Sequence, residues 1–112
     1  MDRPVAAPET RRQYDQLAIR LADELGATPG QMMGMPMLYL DGKGFAGLYG
    51  NAMVFKLEGV AHARALALAD ATLFDPSGMG RPMKAWVQVP EAHSSEWDDL
   101  SRAAAMVKAG RG

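Results

Sequence analysis

Glycines and cationic side chains come together in one segment of the sequence that could bind an anion. Gly78 and Gly80 are followed by Arg81, and Lys84 and Trp86 come shortly afterwards. A phosphate cradle is built from glycine amides and cationic side chains of this kind. A P-loop would place its lysine at the start of a helix, whereas Lys84 leads into strand-like residues. We therefore predict a turn with a solvated strand edge and keep, as the alternative, an anion or partner site formed by Arg81, Lys84 and Trp86.

A second glycine pattern has the spacing of the dinucleotide-binding fingerprint. Gly42, Gly44 and Gly47 match G-x-G-x-x-G, which binds a pyrophosphate where a helix opens within the motif. Residues 45–49 have the composition of a strand instead, and no acidic residue follows on a second parallel strand as that fold requires. We expect these glycines to permit twist or close backbone packing, and we predict no cofactor.

The histidines and carboxylates indicate no catalytic set and no metal site. His62 and His93 have no partner at the spacing of a metal site or a triad, so we predict that both are solvated. The adjacent Asp98 and Asp99 would point in different directions on a helix, which favours a role at its positive end. The sequence contains no cysteine, which excludes thiol catalysis and thiolate ligands. A non-enzymatic protein is therefore favoured over an enzyme.

The stretch that must position these groups runs from residue 36 to residue 57 and predicts three strands. Asp41-Gly42 and Gly50-Asn51 are the turns, because two-residue hairpin loops need residues that accept a positive φ. Residues 27–36 are predicted to be a loop that leads into the first of these strands. Residues 84–89 alternate and predict a further strand, and Leu73-Phe74 is predicted to be a short buried segment.

Three helices complete the predicted fold. Residues 9–25 carry an apolar stripe at helical spacing, residues 60–71 are rich in alanine, and the last helix begins near residues 94–95. The order α-β-β-β-α-β(β)-α is typical of an α+β domain with an antiparallel sheet. We treat residues 1–112 as one domain and residues 1–8 as a loose lead-in.

The two turns also predict which side chains share a face of the sheet, because opposed residues lie on the same side. The face without charge is predicted to be the core, and it carries Met37, Tyr39, Gly44, Ala46, Leu48, Met53, Phe55 and Leu57. The second face is more apolar than a solvated sheet surface, which a soluble monomer should cover. We predict a homodimer, or another protein partner, at the interface residues Leu38, Leu40, Phe45, Tyr49 and Val54. The alternative is that the chain's own helices cover this face.

The charge and hydropathy of the chain exclude several classes of partner. Twelve basic and thirteen acidic residues leave a net charge of −1, so there is no basic footprint and we expect no nucleic-acid partner. No apolar run approaches the roughly 20 residues of a membrane span, so no membrane partner is predicted. The N-terminal residues lack the apolar region of a signal peptide, and we expect a cytoplasmic protein.

A resemblance to a known family covers roughly residues 9–109. It is carried by Met33-Gly34-Met35-Pro36, Leu38-Tyr39-Leu40-Asp41-Gly42-Lys43, Val54-Phe55-Lys56-Leu57 and Gly80-Arg81-Pro82-Met83-Lys84 with Trp86 and Val89-Pro90. The sequence resembles the TfoX N-terminal domain-like family, whose members often have Met-Phe-Gly-Gly where this chain has residues 33–36. The resemblance implies a small α+β domain similar to secretion-chaperone and YjbR-type folds. Longer members regulate bacterial competence through a second domain, and the resemblance supplies no catalytic residues.

Two functions follow as expectations. The first is a non-enzymatic protein-interaction or regulatory domain, which the apolar second face of the sheet favours. The second is a sensor or enzyme that binds a small anionic ligand at the loop containing Arg81 and Lys84.

Overall fold

The structure is a computed structural model that describes residues 4–111, with the side chains of residues 4–107. Residues 1–3 of the predicted lead-in lie outside the described residues. In chain order the elements are α1 (Pro8–Leu25), β1 (Thr28–Met32), β2 (Met35–Leu40), β3 (Lys43–Tyr49), β4 (Ala52–Lys56), α2 (Gly59–Leu66), β5 (Thr72–Phe74), β6 (Met83–Pro90), a 3₁₀ turn (Glu91–Glu96) and α3 (Trp97–Arg111).

The six strands form one antiparallel sheet in the order β1-β2-β3-β4-β6-β5. Helix residues and sheet residues share one large buried cluster, in which Tyr14 and Leu17 of α1, Ala65 of α2 and Trp97 of α3 pack with Phe55 of β4. The helices therefore cover one face of the sheet. The predicted α+β class with an antiparallel sheet is confirmed.

The helices lie where the sequence placed them, but two of their ends differ. Alpha-helix α2 ends at Leu66 rather than at residue 71, and Asp70 in the segment that follows has a left-handed φ of 67°. At the other end of the chain the 3₁₀ turn precedes α3, which begins at Trp97 rather than near residues 94–95. Helix α1 ends at Leu25 as predicted, and Gly26, which follows it, has a φ of 76°, the usual left-handed cap.

Both predicted turns are confirmed. Asp41 and Gly42 have φ values of 50° and 82°, which is the type I′ geometry that two-residue hairpins favour. Gly50 has a φ of 61°, and Tyr49 pairs with Ala52 across that turn. Leu40 pairs with Lys43 as expected. The meander of β2, β3 and β4 is therefore the one that the sequence predicts.

The prediction of a loop at residues 27–36 is wrong, because residues 28–32 form β1. This strand pairs along its length with β2, and the turn between them is Met33-Gly34. Proline and glycine are rare in strands, so Pro29 and Gly30 make β1 hard to predict from the sequence. They are tolerated because β1 is an edge strand, where proline does not remove a ladder hydrogen bond.

A β-bulge in β3 overturns part of the predicted face assignment. Tyr39 pairs with Gly44 and Leu38 pairs with Ala46, so Phe45 is an extra residue without a partner in β2. Since side chains alternate along a strand, one extra residue exchanges the faces of β2 relative to the rest of β3. Met37 and Tyr39 therefore lie on the face opposite the helices, not on the helix side.

Because of the same bulge, the predicted interface residues do not share one face of the sheet. Leu38 and Phe45 are fully buried in the cluster beneath the helices, and Leu40 packs against that cluster. Tyr49 and Val54 lie on the opposite side of the sheet. The five residues predicted to form one exposed apolar face thus belong to two different faces.

The face of the sheet opposite the helices, which we call the helix-free face, has a small core of its own. It consists of Met35, Met37, Val54, Phe74 and Trp86, with Met32, Tyr39, Tyr49 and Met83 packed around them. The rings of Tyr49 and Phe74 meet edge to face with centroids 4.9 Å apart, although their strands are not neighbours in the sheet. Val54 is fully buried there. The sheet therefore covers this face with its own side chains.

Candidate functional site

The loop for which an anion site was the alternative prediction is closed by a carboxylate of the chain itself. Asp75 accepts hydrogen bonds from the Ser77 hydroxyl at 2.8 Å and from the backbone N–H groups of Gly78 at 3.2 Å and Gly80 at 2.9 Å. The Ser77 hydroxyl, together with the N–H groups of Gly80, Gly78 and Arg81, holds the pKa of the Asp75 carboxyl below its ordinary value. The amides that a phosphate would need are therefore already bonded to Asp75.

The three residues proposed for that site are not brought together around a cavity. Arg81 and Lys84 are exposed, whereas Trp86 is only 8% exposed and packs in the core of the helix-free face. Trp86 does point away from Val87 and Val89, as the alternation of β6 predicts. An indole that is buried against Met37 and Val54 is a packing residue rather than a surface for a ligand.

A separate cleft lies between residues that precede and begin α1 and residues of β2 and β3 with their turns. We call it the N-terminal cleft; its volume is about 660 Å³. One wall is the segment before and at the start of α1, and the other is the turn into β2 together with the end of β3. The lining residues are Pro4, Val5, Ala6, Pro8, Arg11, Gly34, Met35, Pro36, Leu48, Tyr49 and Gly50.

Residues 4–7, which we call the N-terminal strap, are fixed to the turn between β3 and β4. The Ala7 N–H donates to the side-chain oxygen of Asn51 at 2.7 Å. Pro4 packs directly over Gly50, where an added Cβ would come within 2.9 Å of the proline ring. The Ala7 carbonyl then accepts the Arg11 N–H at 2.9 Å, which begins α1. These contacts place the strap at the side of the cleft.

Arg11 is the one charged residue among the described residues that line the cleft. Its Nε donates to the Asp15 carboxylate at 2.9 Å, one helical turn further along α1. Its guanidinium lies 6.0 Å from the centroid of the Tyr14 ring, within the range of a cation–π contact. The pairing with Asp15 uses Nε and leaves the two Nη groups as donors for a further acceptor.

The cleft also borders a strained position in the backbone. Met33, next to the lining residue Gly34, has a φ of 52°, and its side chain is 64% exposed. Gly34 has a φ of 83°, so this turn has nearly the same geometry as Asp41-Gly42. Aspartate and asparagine tolerate the left-handed region by local hydrogen bonding, whereas methionine gains nothing there.

The glycine pattern at residues 42–47 serves the packing of the sheet. Strand β3, not a helix, follows Gly42, so the geometry of a dinucleotide site is absent from this segment. A Cβ at Gly47 would come within 2.8 Å of the Pro36 carbonyl oxygen and of the Met37 methyl group. Close approach of β2 and β3 requires glycine here, as we expected.

Each histidine ring contacts a backbone carbonyl oxygen, one in β6 and one in the segment after α2, so the predicted solvation is only partial. His62 Nε2 lies 2.8 Å from the Lys84 carbonyl oxygen, and His93 Nε2 lies 2.9 Å from the Ala69 carbonyl oxygen. Both side chains are half-buried. Within residues 4–107, no group of three His, Cys, Asp or Glu side chains is placed to hold a metal ion.

Sequence reasoning missed the cleft because it treated residues 1–8 as a loose lead-in. The contact that builds the cleft joins Ala7 to Asn51, which are 44 positions apart, and no local pattern reports such a contact. Two signals were present: prolines at 4 and 8 stiffen the strap, and Asn51 carries a hydrogen-bonding side chain in the turn.

None of the helices in the described part of the chain has both the length and the apolar character needed to cross a membrane. No family model, no curated protein and no solved structure matches the chain. The relationship to the TfoX N-terminal domain-like family therefore stays a prediction from the quoted residues.

Proposed function

We propose that this chain is a non-enzymatic, ligand-binding domain and that its ligand occupies the N-terminal cleft. The single observation that carries the proposal is the cleft itself, whose volume of about 660 Å³ lies in the range of small-molecule sites. Its lining is mainly apolar, with one cationic side chain, which is the usual character of such sites. A regulatory sensor is the role that suits a binding site without catalytic groups.

The titrating groups support binding rather than catalysis. Catalytic sites are places where several pKa values are displaced together. Here burial raises the pKa of Tyr14, the Arg102 side chain lowers the pKa of Asp98, and the Ser77 hydroxyl lowers that of Asp75. None of these three residues lines the cleft. Each displaced pKa has a structural cause at a different place in the fold.

A homodimer through the sheet belongs to the first function that the sequence suggested, and it stays a prediction. The residues that motivated it are covered within the chain by the helices or by the helix-free core. The two edge strands are poor templates for pairing, because β1 contains Pro29 and β5 has three residues. Sedimentation over a concentration series tests it, and a concentration-dependent dimer would restore the homodimer proposal.

The test of the ligand-binding proposal compares two exposed valines. Val5 lines the cleft, and Val60 lies on α2; they are 87% and 75% exposed, so neither supports the core. We expect anilinonaphthalene sulfonate, an amphipathic fluorescent probe, to bind wild type and Val60→Asp equally. Val5→Asp should weaken binding by about tenfold, because a carboxylate at the cleft repels the sulfonate and hydrates the apolar wall.

Thermal unfolding supplies the folding control for both variants, since neither substitution should shift the melting temperature by more than a degree or two. Equal loss of probe binding in both variants, or equal retention in both, would contradict the proposal that the ligand occupies this cleft.

A further inference from the structure

We infer that the ligand of the N-terminal cleft is a small apolar monocarboxylate, held by its carboxylate at Arg11 and by its apolar body between the strap and the turn into β2. This inference rests on the proposed function and adds the chemical class of the ligand.

The lining of the cleft defines the apolar part of the ligand. Ten of the eleven lining residues that the structure describes are uncharged, and proline, valine, alanine, methionine and leucine make up most of them. Asp15 is not one of these eleven, and none of them carries a carboxylate. A ligand without apolar surface would leave these walls in contact with water and would lose the main favourable contribution to binding.

The position of Arg11 defines the polar part. A guanidinium offers a planar fork of donors that matches a carboxylate. Asp15 binds Nε at 2.9 Å, and the ring of Tyr14 lies 6.0 Å beneath the group, so the fork is oriented before a ligand arrives. Orientation in advance lowers the entropy lost on binding.

The charge balance at the cleft favours a monoanion over a phosphate ester or a nucleotide. Arg11 supplies one positive charge, and Asp15 already offsets part of it. No second cation is found among the lining residues within the described range 4–107. Phosphate sites combine several donors or cations, because a group of charge near −2 must be compensated when it leaves water. One partly compensated arginine suits a single negative charge.

The test uses octanoate, octanol and octylammonium, which share an apolar body and differ in charge. Their affinities are measured by displacement of anilinonaphthalene sulfonate from the full chain. We expect octanoate to bind wild type about tenfold more tightly than octanol, because hydrogen bonds to charged groups contribute that much. Octylammonium should bind more weakly than octanol, since its charge faces the Arg11 guanidinium.

Adjacent arginines provide the matched variants. Arg11 lines the cleft, whereas Arg12 pairs with Glu9 and does not. Arg11→Gln should bring the affinity for octanoate down to that for octanol while leaving octanol itself unchanged. Arg12→Gln should keep the tenfold preference. Both residues are exposed on α1, so both variants should unfold at nearly the wild-type temperature.

The outcomes separate the inference from the function on which it rests. Equal binding of octanoate and octanol by wild type, or an unchanged preference in Arg11→Gln, overturns the carboxylate inference and leaves a ligand-binding cleft in place. Failure of all three compounds to displace the probe, together with equal probe binding by Val5→Asp and wild type, overturns the proposed function as well.

Discussion

Two regions of this molecule contain the parts of an anion site, and they use them in opposite ways. In the loop at residues 75–82, the amides of Gly78 and Gly80 donate to Asp75, and Arg81 points to solvent. In the N-terminal cleft, Arg11 gives only its Nε to Asp15 and lies beside an apolar wall. Suitable residue types therefore do not make a binding site when the chain itself already satisfies their donors.

The backbone is more strained beside the N-terminal cleft than in the loop at residues 75–82. The left-handed positions of the loop are Gly78 and Gly80, with φ values of 68° and 76°, where glycine costs little. Beside the cleft, next to the lining residue Gly34, Met33 instead has a φ of 52°. Strained positions cluster at functional sites more often than elsewhere.

The largest expected effect is that of Gly47→Ala, which acts on the cleft through its wall. The new methyl group would lie 2.8 Å from the Pro36 carbonyl oxygen, a backbone atom of a residue that lines the cleft. Overpacking of this kind costs about 1–3 kcal/mol. We expect urea unfolding to show that loss and probe binding to weaken, while the amide resonances of Gly78 and Gly80 stay in place.

Gly44→Ala is the matched control for that substitution. Its nearest neighbours would be the side chains of Met37 and Met32, which can adapt more readily than a carbonyl group. The destabilisation should therefore be smaller than for Gly47→Ala. The reverse order of the two destabilisations would mean that β2 and β3 do not approach as described.

The second prediction opens the loop at residues 75–82. Asp75→Ala removes the acceptor of two backbone amides and of the Ser77 hydroxyl, so we expect the melting temperature to fall by a few degrees. Inorganic phosphate should then raise the melting temperature of the variant, because the released amides can bind it, and should leave wild type unchanged. An equal response of wild type to phosphate would show that Asp75 does not close the loop.

The third prediction concerns how the stability of the fold depends on pH and on salt concentration. The pKa of Asp75 is lowered mainly by the Ser77 hydroxyl, and that of Asp98 mainly by the Arg102 guanidinium, with Arg20 contributing. A carboxyl whose pKa is lower in the folded state stabilises the fold above the ordinary aspartate value of about 4. That contribution is lost as the pH falls through the folded pKa.

The contributions of Asp75 and Asp98 to stability should respond differently to salt. Asp98 bridges α1 and α3 through charged partners, at 3.1 Å from Arg20 and 2.5 Å from Arg102, and these pairs are partly exposed. Asp75 has uncharged donors. The Asp75→Ala variant retains Asp98, and the Asp98→Asn variant retains Asp75. Both should lose stability in acid, and high salt should reduce that loss more in Asp75→Ala, because salt screens the charged partners of Asp98. Equal salt sensitivity in the two variants would contradict these assignments.

The smallest expected effect is a gain in stability at the strained turn. Met33→Asn should raise the unfolding free energy by up to about 1 kcal/mol, because asparagine accepts the left-handed φ better than methionine. Thermal unfolding measures the gain, and Met79→Asn, another exposed methionine, is the control and should change nothing. A loss of stability in Met33→Asn would show that the Met33 side chain contributes packing that outweighs the strain.

The sequence predicts the parts of this fold that depend on local rules. The turns at Asp41-Gly42 and Gly50-Asn51 were correct because residues with a tolerated positive φ mark them directly. The bulge at Phe45 was missed because nothing in a strand pattern shows one unpaired residue, and that single residue reversed the faces of Met37 and Leu38.

The candidate site was harder to predict, because it depends on contacts between distant residues. The segment at Gly78 and Gly80 has the composition of an anion site, but Asp75, a few positions away, satisfies its donors. The cleft requires the contact of Ala7 with Asn51. Its arginine, Arg11, has the same side chain as its neighbour Arg12, and only the fold distinguishes them.

The most direct test is an amide NMR titration of the wild-type chain with octanoate. A ligand in the N-terminal cleft should shift the resonances of Val5, Gly34 and Gly50, and those of Gly78 and Gly80 should not move. Shifts confined to Gly78, Gly80 and Arg81, with none at Gly34 or Gly50, would contradict the assignment of the cleft as the binding site.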